Sequence, residues 1–319
     1  MQRTTTAPAL KTGETIGIAA PASCLDAKLL QSGAERLASW GYPVLLDPRL
    51  IERHGSFAGS DEVRAELFVK LLRNPEVKAI WCARGGYGVT RLLSQLDTLG
   101  APALLRKKPK VILGYSDITA LHLYAFHHAK LKTVHSPVVA TKKWLELPKK
   151  SQKILQSILA GTMGTGKQSH TLAWPTKLLH PLHGGAMEGR ILGGNLTLLS
   201  SMAGTPWMPS LKGNFLFFED CAEPAYKLDR MLTQLHNSGA LRGIAGAFVG
   251  DLSADVALGK GEKHAWKAVL EDRLASFGVP VLYNLPVGHG RKNEALPLGT
   301  LVRLTKAGKI ELLEQVLGH

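Results

Sequence analysis

Short apolar segments alternate with segments of helical spacing through the first half of the chain. Residues 15–20 form an apolar run that ends at Pro21. Residues 25–40 follow with leucines at helical spacing, and Gly41 is predicted to end this helix. The same alternation predicts strands at 43–46, 77–82 and 110–114 and helices at 61–73, 89–96 and 117–128. Strands separated by helices of this length form parallel sheets with right-handed crossovers. The first half is therefore predicted to be an α/β domain.

A stretch rich in Gly, Thr and Ser, residues 161–169, separates this half from the second. A chain of 319 residues favours two domains. We therefore predict an N-terminal domain at 1–160, a linker at 161–180 and a C-terminal domain at 181–319. A helix near 151–159 is predicted to precede the linker. For the second half we predict strands near 187–191, 214–218, 244–249, 279–282, 302–304 and 310–313 and helices near 196–202, 224–239 and 264–277.

Lysine and arginine exceed aspartate and glutamate by 39 to 25, a net charge of +14. Residues 106–153 supply +9 of this excess, with eleven basic residues against Asp117 and Glu146. Such charge attracts nucleic acid, anionic membranes or acidic small molecules. The basic residues of this stretch are not interleaved with aromatics on one face and match no nucleic-acid-binding motif, so a solvated basic surface is favoured over a nucleic-acid footprint.

Cysteine usage and hydropathy indicate a soluble cytoplasmic protein. Cys24, Cys82 and Cys221 are odd in number and form no CxxC pair, which argues against a disulfide framework or a zinc site. No segment has the length and hydropathy of a signal peptide or a membrane span. No spacing typical of metal ligands occurs either, and we expect no metal, no cofactor and no membrane or nucleic-acid partner.

Ser116 lies where an apolar strand runs through Gly114 and Tyr115 directly into a helix. A serine on such a sharp turn is raised off the sheet, and the first helical N–H groups can stabilise a developing oxyanion. The turn resembles a nucleophile elbow, although Ile118 stands where the G-x-S-x-G pattern has its second glycine. The alternative is that Ser116 merely caps the helix.

A serine nucleophile needs a base and a group that orients the base. Among twelve histidines, His289 follows a predicted strand between two glycines, where ligand sites of α/β proteins gather. Glu219 follows the apolar strand 214–218, and a carboxylate in apolar surroundings is costly unless it is paired. The alternative is that Glu219 pairs with a structural arginine or caps the helix after Pro224.

The glycine-rich turn at 82–88 lies between a predicted strand and a helix. It could hold a phosphate or present N–H groups to an oxyanion. It lacks both the G-x-G-x-x-G spacing and the Lys-Ser/Thr of a P-loop, so it does not predict a nucleotide site.

Taken together, these segments resemble the LD-carboxypeptidase family of serine peptidases over almost the whole chain. That family includes murein tetrapeptide carboxypeptidases and microcin-C-inactivating peptidases. The matching segments are GIAAPAS at 17–23, ARGGYG at 83–88, GYSDITAL at 114–121, EGRILGGNL at 188–196, FED at 218–220, GHG at 288–290 with Asn293, and LPLG at 296–299.

The resemblance implies a Ser-Glu-His triad of Ser116, Glu219 and His289, with the nucleophile in one domain, its partners in the other and the active site between them. It implies an oxyanion hole from the backbone N–H groups of Gly86 and Asp117. The implied fold is a flavodoxin-like parallel-sheet domain followed by a β-rich, mixed α/β domain.

The activity implied is release of the terminal D-Ala from murein tetrapeptide, in the cytoplasm, during cell-wall recycling. Members of the family often form homodimers, which makes a second copy of the chain a candidate partner. The substrate carboxylate needs a cationic or N–H-rich pocket, for which Arg84 and Arg230 are candidates. Within the family the alternative is a peptidase for a peptidyl-nucleotide, with Trp174 as an aromatic platform or as a packing residue. Two alternatives belong to other functional classes. One is an esterase or acyltransferase that uses the same triad, and the other is a nucleic-acid-binding protein.

Overall fold

The computed structural model describes residues 3–164, 170–172, 174–180, 185–252, 265–275 and 277–318. The described residues form two compact units. The first unit is drawn from Met1–Met163, Ala295–Pro297 and Gln315–His319, and the second from Gly164–Glu294 and Leu298–Glu314. The chain therefore leaves the first unit and returns to it twice.

The strands, in chain order, are β1 (Thr15–Ala19), β2 (Val44–Leu45), β3 (Val77–Cys82), β4 (Val111–Gly114), β5 (Thr133–His135), β6 (His170–Leu172), β7 (Lys177–His180), β8 (Met187–Asn195), β9 (Phe215–Glu219), β10 (Gly246–Val249), β11 (Val281–Tyr283), β12 (Leu296–Leu298), β13 (Leu301–Leu304) and β14 (Ile310–Leu312). The α-helices are α1 (Ala27–Ser39), α2 (Asp61–Arg73), α3 (Leu93–Thr98), α4 (Ala101–Lys107), α5 (Thr119–Ala129), α6 (Lys142–Leu145), α7 (Lys149–Leu159), α8 (Leu196–Met202), α9 (Ala225–Asn237) and α10 (Ala265–Ala275). Short 3₁₀ helices cover Pro48–Ile51, Val89–Leu92 and Ser116–Ile118.

The sheet of the first unit has the strand order β12-β5-β4-β3-β1-β2. Strands β1 to β5 pair in parallel, and their order is that of flavodoxin-like folds. The central strands are buried because their residues are almost continuously apolar, as in sheets covered on both faces. The C-terminal end of the chain is tied to the start of the same unit, where the N–H of Gly318 donates to the carbonyl of Ala7 at 2.9 Å.

The sheet of the second unit has eight strands in the order β6-β14-β13-β8-β9-β10-β11-β7. The four central strands, β8 to β11, pair in parallel, and the flanking strands pair antiparallel. The rings of Phe215 and Phe248 stack in the core with centroids 4.5 Å apart. Both sheets confirm the predicted fold class, a flavodoxin-like parallel sheet and a β-rich mixed α/β fold.

Several predicted bounds differ from the observed ones. The predicted helix 89–96 is a 3₁₀ helix followed by α3. Helix α4 was not predicted, since its N-cap is Gly100 and it carries a proline in its first turn. Within the predicted linker 161–180, residues 170–172 and 177–180 are strands β6 and β7, whereas 165–169 and 173 lie outside the described residues. In the described part of the chain, no helix combines the length and hydropathy needed to cross a membrane.

Candidate active site

Ser116 begins the 3₁₀ helix that leads from β4 into α5. Its φ of 65° lies in the left-handed region, which costs a non-glycine residue free energy and is typical of functional sites. The residue that precedes this helix is Tyr115, and no side chain caps it. The capping interpretation of Ser116 is therefore not seen, and the strand, strained serine and helix reproduce the geometry of a nucleophile elbow.

The glycine-rich turn packs directly against Ser116 within the first unit. A Cβ at Gly85 would come within 2.8 Å of the Ser116 Cβ and 3.2 Å of its Oγ, so only glycine fits. Ser23 fastens the turn from the other side, because its Oγ accepts the Tyr87 N–H at 3.1 Å and its N–H donates to the Gly85 carbonyl at 3.3 Å. The glycine-rich turn and Ser116 are thus neighbours, and the oxyanion hole that the resemblance implies stays a prediction.

Asp117 follows Ser116 in the first turn of the helix, where backbone N–H groups have no acceptor within the helix. Its side chain is only 1% exposed, and its Oδ2 accepts the Val89 N–H at 2.8 Å. Burial raises the pKa of the Asp117 carboxyl to about 6, although the Val89 N–H and the charge of Arg64 act in the opposite direction. Sequence reasoning assigned a role only to the backbone N–H of Asp117 and missed this side-chain bond.

Glu219 and His289 form a hydrogen-bonded pair in the second unit. Glu219 ends β9 and is fully buried, and the His289 Nδ1–H donates to Glu219 Oε2 at 2.6 Å. Helix α9 begins at Ala225 without a side-chain cap, so Glu219 does not cap it. The two side chains are therefore paired, while their roles as base and orienting carboxylate stay a prediction.

Gly288, directly before His289, allows the close approach of the pair. Its φ is 128°, and a Cβ there would lie 2.7 Å from Glu219 Oε2. Its N–H donates to Asn293 Oδ1 at 3.1 Å, which fixes the loop that carries the imidazole. Gly288 therefore serves packing against Glu219, whereas a Cβ at Gly290 would meet Asp251.

The imidazole of His289 titrates in an anionic environment. Burial opposes its positive charge, but hydrogen bonds with Cys221 and Glu219, together with the negative charge of Glu219, outweigh burial and raise its pKa above the ordinary value of 6.5. The side chain is 17% exposed, so it is accessible to a reacting group. The contribution of Cys221 was missed by sequence reasoning, although this residue lies only two positions beyond Glu219.

The two candidate carboxylate-binding arginines lie in different surroundings. Arg84 is exposed and donates to the carbonyl of Cys24 at 2.8 Å. The guanidinium of Arg230 lies 5.3 Å from the ring centroid of Tyr226. Their role in substrate binding stays a prediction.

Several other histidines lie on helices or outside the described part of the chain. His127 and His128 lie on α5 and His236 on α9, while His264 is outside the described residues. Within the described ranges, no group of three His, Cys, Asp or Glu side chains is placed to hold a metal ion.

Comparison with known proteins identifies the family. The profile of the LD-carboxypeptidase N-terminal domain matches residues 16–136, and that of the LD-carboxypeptidase C-terminal domain matches residues 188–304. The chain is 36% identical over 310 residues to a probable murein peptide carboxypeptidase of Bacillus subtilis, covering 96% of this chain and 93% of that protein.

Solved structures agree with this assignment. Muramoyltetrapeptide carboxypeptidase from Oxalobacter formigenes is 32% identical, with a TM-score of 0.79 over 93% of this chain and 97% of that one. MccF in complex with glutamyl sulfamoyl guanosine has the same fold, with a TM-score of 0.85 and 24% identity over 98% and 99% of the two chains. The chain therefore belongs to the LD-carboxypeptidase family of serine carboxypeptidases.

Proposed function

We propose that this enzyme removes the terminal D-Ala from murein tetrapeptide in the cytoplasm, during cell-wall recycling, with Ser116 as nucleophile and His289 and Glu219 as its base and orienting carboxylate. The observation that carries the proposal is the 2.6 Å bond between His289 Nδ1 and buried Glu219. Because this bond engages Nδ1, Nε2 is the nitrogen that would act as the base. The strained turn at Ser116 and the murein peptide carboxypeptidase names of relatives at 32–36% identity support it further.

The chemistry follows from these groups. His289 Nε2 takes the proton of Ser116 Oγ as the oxygen attacks the amide carbonyl, while the N–H groups of Gly86 and Asp117 stabilise the oxyanion. Collapse of the tetrahedral intermediate breaks the C–N bond, and the imidazolium gives its proton to the leaving amine of D-Ala. Water then attacks the acyl-enzyme with the same base and restores Ser116. Glu219 holds the imidazole tautomer and stabilises its positive charge throughout.

The second candidate is cleavage of a peptidyl-nucleotide amide. It is favoured by the partly exposed side chain of Trp174 and by the fold shared with MccF. An aromatic ring of this kind provides a stacking surface for a base. The chemistry at Ser116 would be the same, and only the recognised leaving group would differ.

The test is release of free D-Ala from L-Ala-γ-D-Glu-diaminopimelate-D-Ala, measured beside hydrolysis of a peptidyl-adenylate, with Ser116→Ala as the control for both. We expect the wild type to release D-Ala with the higher kcat/KM and the variant to release none. A higher kcat/KM on the peptidyl-adenylate would replace the murein substrate by the second candidate. Cleavage of a simple ester without either amide would favour an esterase or acyltransferase.

The raised pKa of His289 makes a prediction about pH dependence. The base must be neutral to accept the proton of Ser116, so activity rises with pH as the imidazolium loses its proton. Since the folded-state pKa lies above 6.5, we expect the acid limb of kcat/KM to have its midpoint above pH 6.5. A pH profile from 5 to 10 checks this, and a midpoint at or below 6.5 would contradict it.

A further inference from the structure

The peptide group between Gly88 and Val89 is held at both of its polar ends by buried charged side chains. The carbonyl of Gly88 accepts from Arg64 Nη1 at 3.1 Å, and the N–H of Val89 donates to Asp117 Oδ2 at 2.8 Å. Arg64 and Asp117 are each 1% exposed. Arg64 also donates to the carbonyl of Pro21 at 2.6 Å, so it joins two loops of the first unit.

This peptide group ends the turn that carries Gly86. Gly86 and Gly88 have φ values of 105° and 120°, and glycine passes between backbone conformations more easily than other residues. A rotation at either glycine would redirect the Gly86 N–H. An oxyanion donor stabilises a transition state only if it points to the oxyanion before the reaction starts. The turn therefore needs an anchor at its far end.

Asp117 is a costly anchor if it serves stability alone. Its Oδ1 is buried without a hydrogen-bond partner among the described residues, and burial disfavours the charged carboxylate. Asp47 is a useful comparison, because it also accepts a backbone N–H at the start of a 3₁₀ helix, that of Arg49 at 3.0 Å. Unlike Asp117, it lies near the surface and forms ion pairs with the side chains of Arg49 and Lys70. The buried carboxylate of Asp117 accepts this one hydrogen bond and lies beside the nucleophile, which points to a role in the reaction.

We propose that the Asp117 side chain, together with Arg64, is a positioning residue that fixes the glycine-rich turn against the nucleophile turn, and so keeps the Gly86 N–H directed at the oxyanion. The proposal rests on the proposed function. Asp117 thereby contributes twice, through its own backbone N–H and through the acceptor that orients the other donor.

The test compares Asp117→Ala and Asp117→Asn with Asp47→Ala, in the full-length enzyme. Asparagine keeps an oxygen that can accept the Val89 N–H, and alanine does not. We expect Asp117→Ala to lower kcat about 10- to 100-fold with KM unchanged, which is less than the roughly 10²- to 10³-fold cost of removing an oxyanion donor outright. We expect Asp117→Asn to retain kcat within about threefold. Asp47→Ala should lower the melting temperature and leave kcat unchanged.

Labelling of Ser116 by an alkyl fluorophosphonate gives a second readout that does not depend on the natural substrate. Ser116 Oγ forms a bond to phosphorus as its proton passes to His289, the P–F bond breaks and fluoride leaves, and the phosphoryl oxygen takes the place of the oxyanion. The labelling rate should fall in Asp117→Ala by about the same factor as kcat. If the alanine variant does not fold, Asp117→Val fills a similar space without an acceptor and carries the same expectation.

Two results would overturn the proposal. One is a normal kcat and labelling rate in folded Asp117→Ala, which would make the side chain merely structural. The other is an equal loss in Asp117→Asn and Asp117→Ala, because the amide keeps the acceptor. If the wild type releases no D-Ala yet labelling still depends on Asp117 as expected, the proposed substrate fails and the positioning role stands.

Discussion

Replacing Ser116 with alanine should lower kcat by about 10⁴- to 10⁶-fold, the range expected when the nucleophile of a triad is removed. The alanine side chain has no oxygen to form the acyl-enzyme. Because serine and alanine have similar steric limits at a φ of 65°, the free energy of unfolding should change little. Single-turnover release of D-Ala and a urea unfolding curve measure the two quantities on the same preparation.

A matched control is Ser60→Ala in the same unit. The Ser60 Oγ accepts the Val63 N–H at 3.3 Å and caps α2, and loss of such a cap costs about 1 kcal/mol. We expect this variant to lose stability and keep its activity, the reverse of Ser116→Ala. Retention of more than about a tenth of the activity in Ser116→Ala would remove Ser116 from the nucleophile role.

Replacing Glu219 with glutamine should lower kcat by about 10⁴-fold, as loss of the orienting carboxylate does in serine proteases. The amide can present an N–H to the imidazole and favour the wrong tautomer, and it carries no charge to stabilise the imidazolium. The same loss of charge lowers the pKa of His289. The acid limb of the remaining activity should therefore move to lower pH, and the full pH profile of the variant measures both effects.

The neighbouring carboxylate provides the control for Glu219. Asp220 is also buried, but its oxygens accept from Asn195 Nδ2 and the Thr197 N–H, each at 2.9 Å. In Asp220→Asn the midpoint of the acid limb should stay at its wild-type value, because neither of these bonds involves His289. An unchanged midpoint in Glu219→Gln would show that another group sets the titration of the base.

Local patterns were enough to predict the elements that carry the candidate site. The helix 61–73 and the strand 77–82 were predicted with the observed bounds, because their apolar patterns lie within each segment and the helix cap, Ser60, directly precedes the helix. The strands β5, β6, β7 and β12 were not predicted. Each has only three or four residues, so its strand character comes from pairing with distant neighbours rather than from its own sequence.

The site residues also fall into those that local sequence predicts and those that depend on distant contacts. Ser116, Glu219 and His289 could be proposed because each directly follows a recognisable strand or lies between glycines. The anchors of the glycine-rich turn could not, since Ser23 and Asp117 bond to residues 64 and 28 positions away, respectively. Contacts at such sequence separations leave no periodic signal in a single sequence.

The return of residues 295–297 and 315–319 to the first unit limits where the chain can be truncated or divided into modules. A fragment that stops after the first 163 residues would lack strand β12 beside β5, and an uncovered strand edge promotes aggregation. It would also lack the carbonyl of Gln315, which accepts from Lys132 Nζ at 2.7 Å. Chimeras between relatives would therefore have to exchange the C-terminal peptide together with the N-terminal half, so a single crossover point would not produce two native modules.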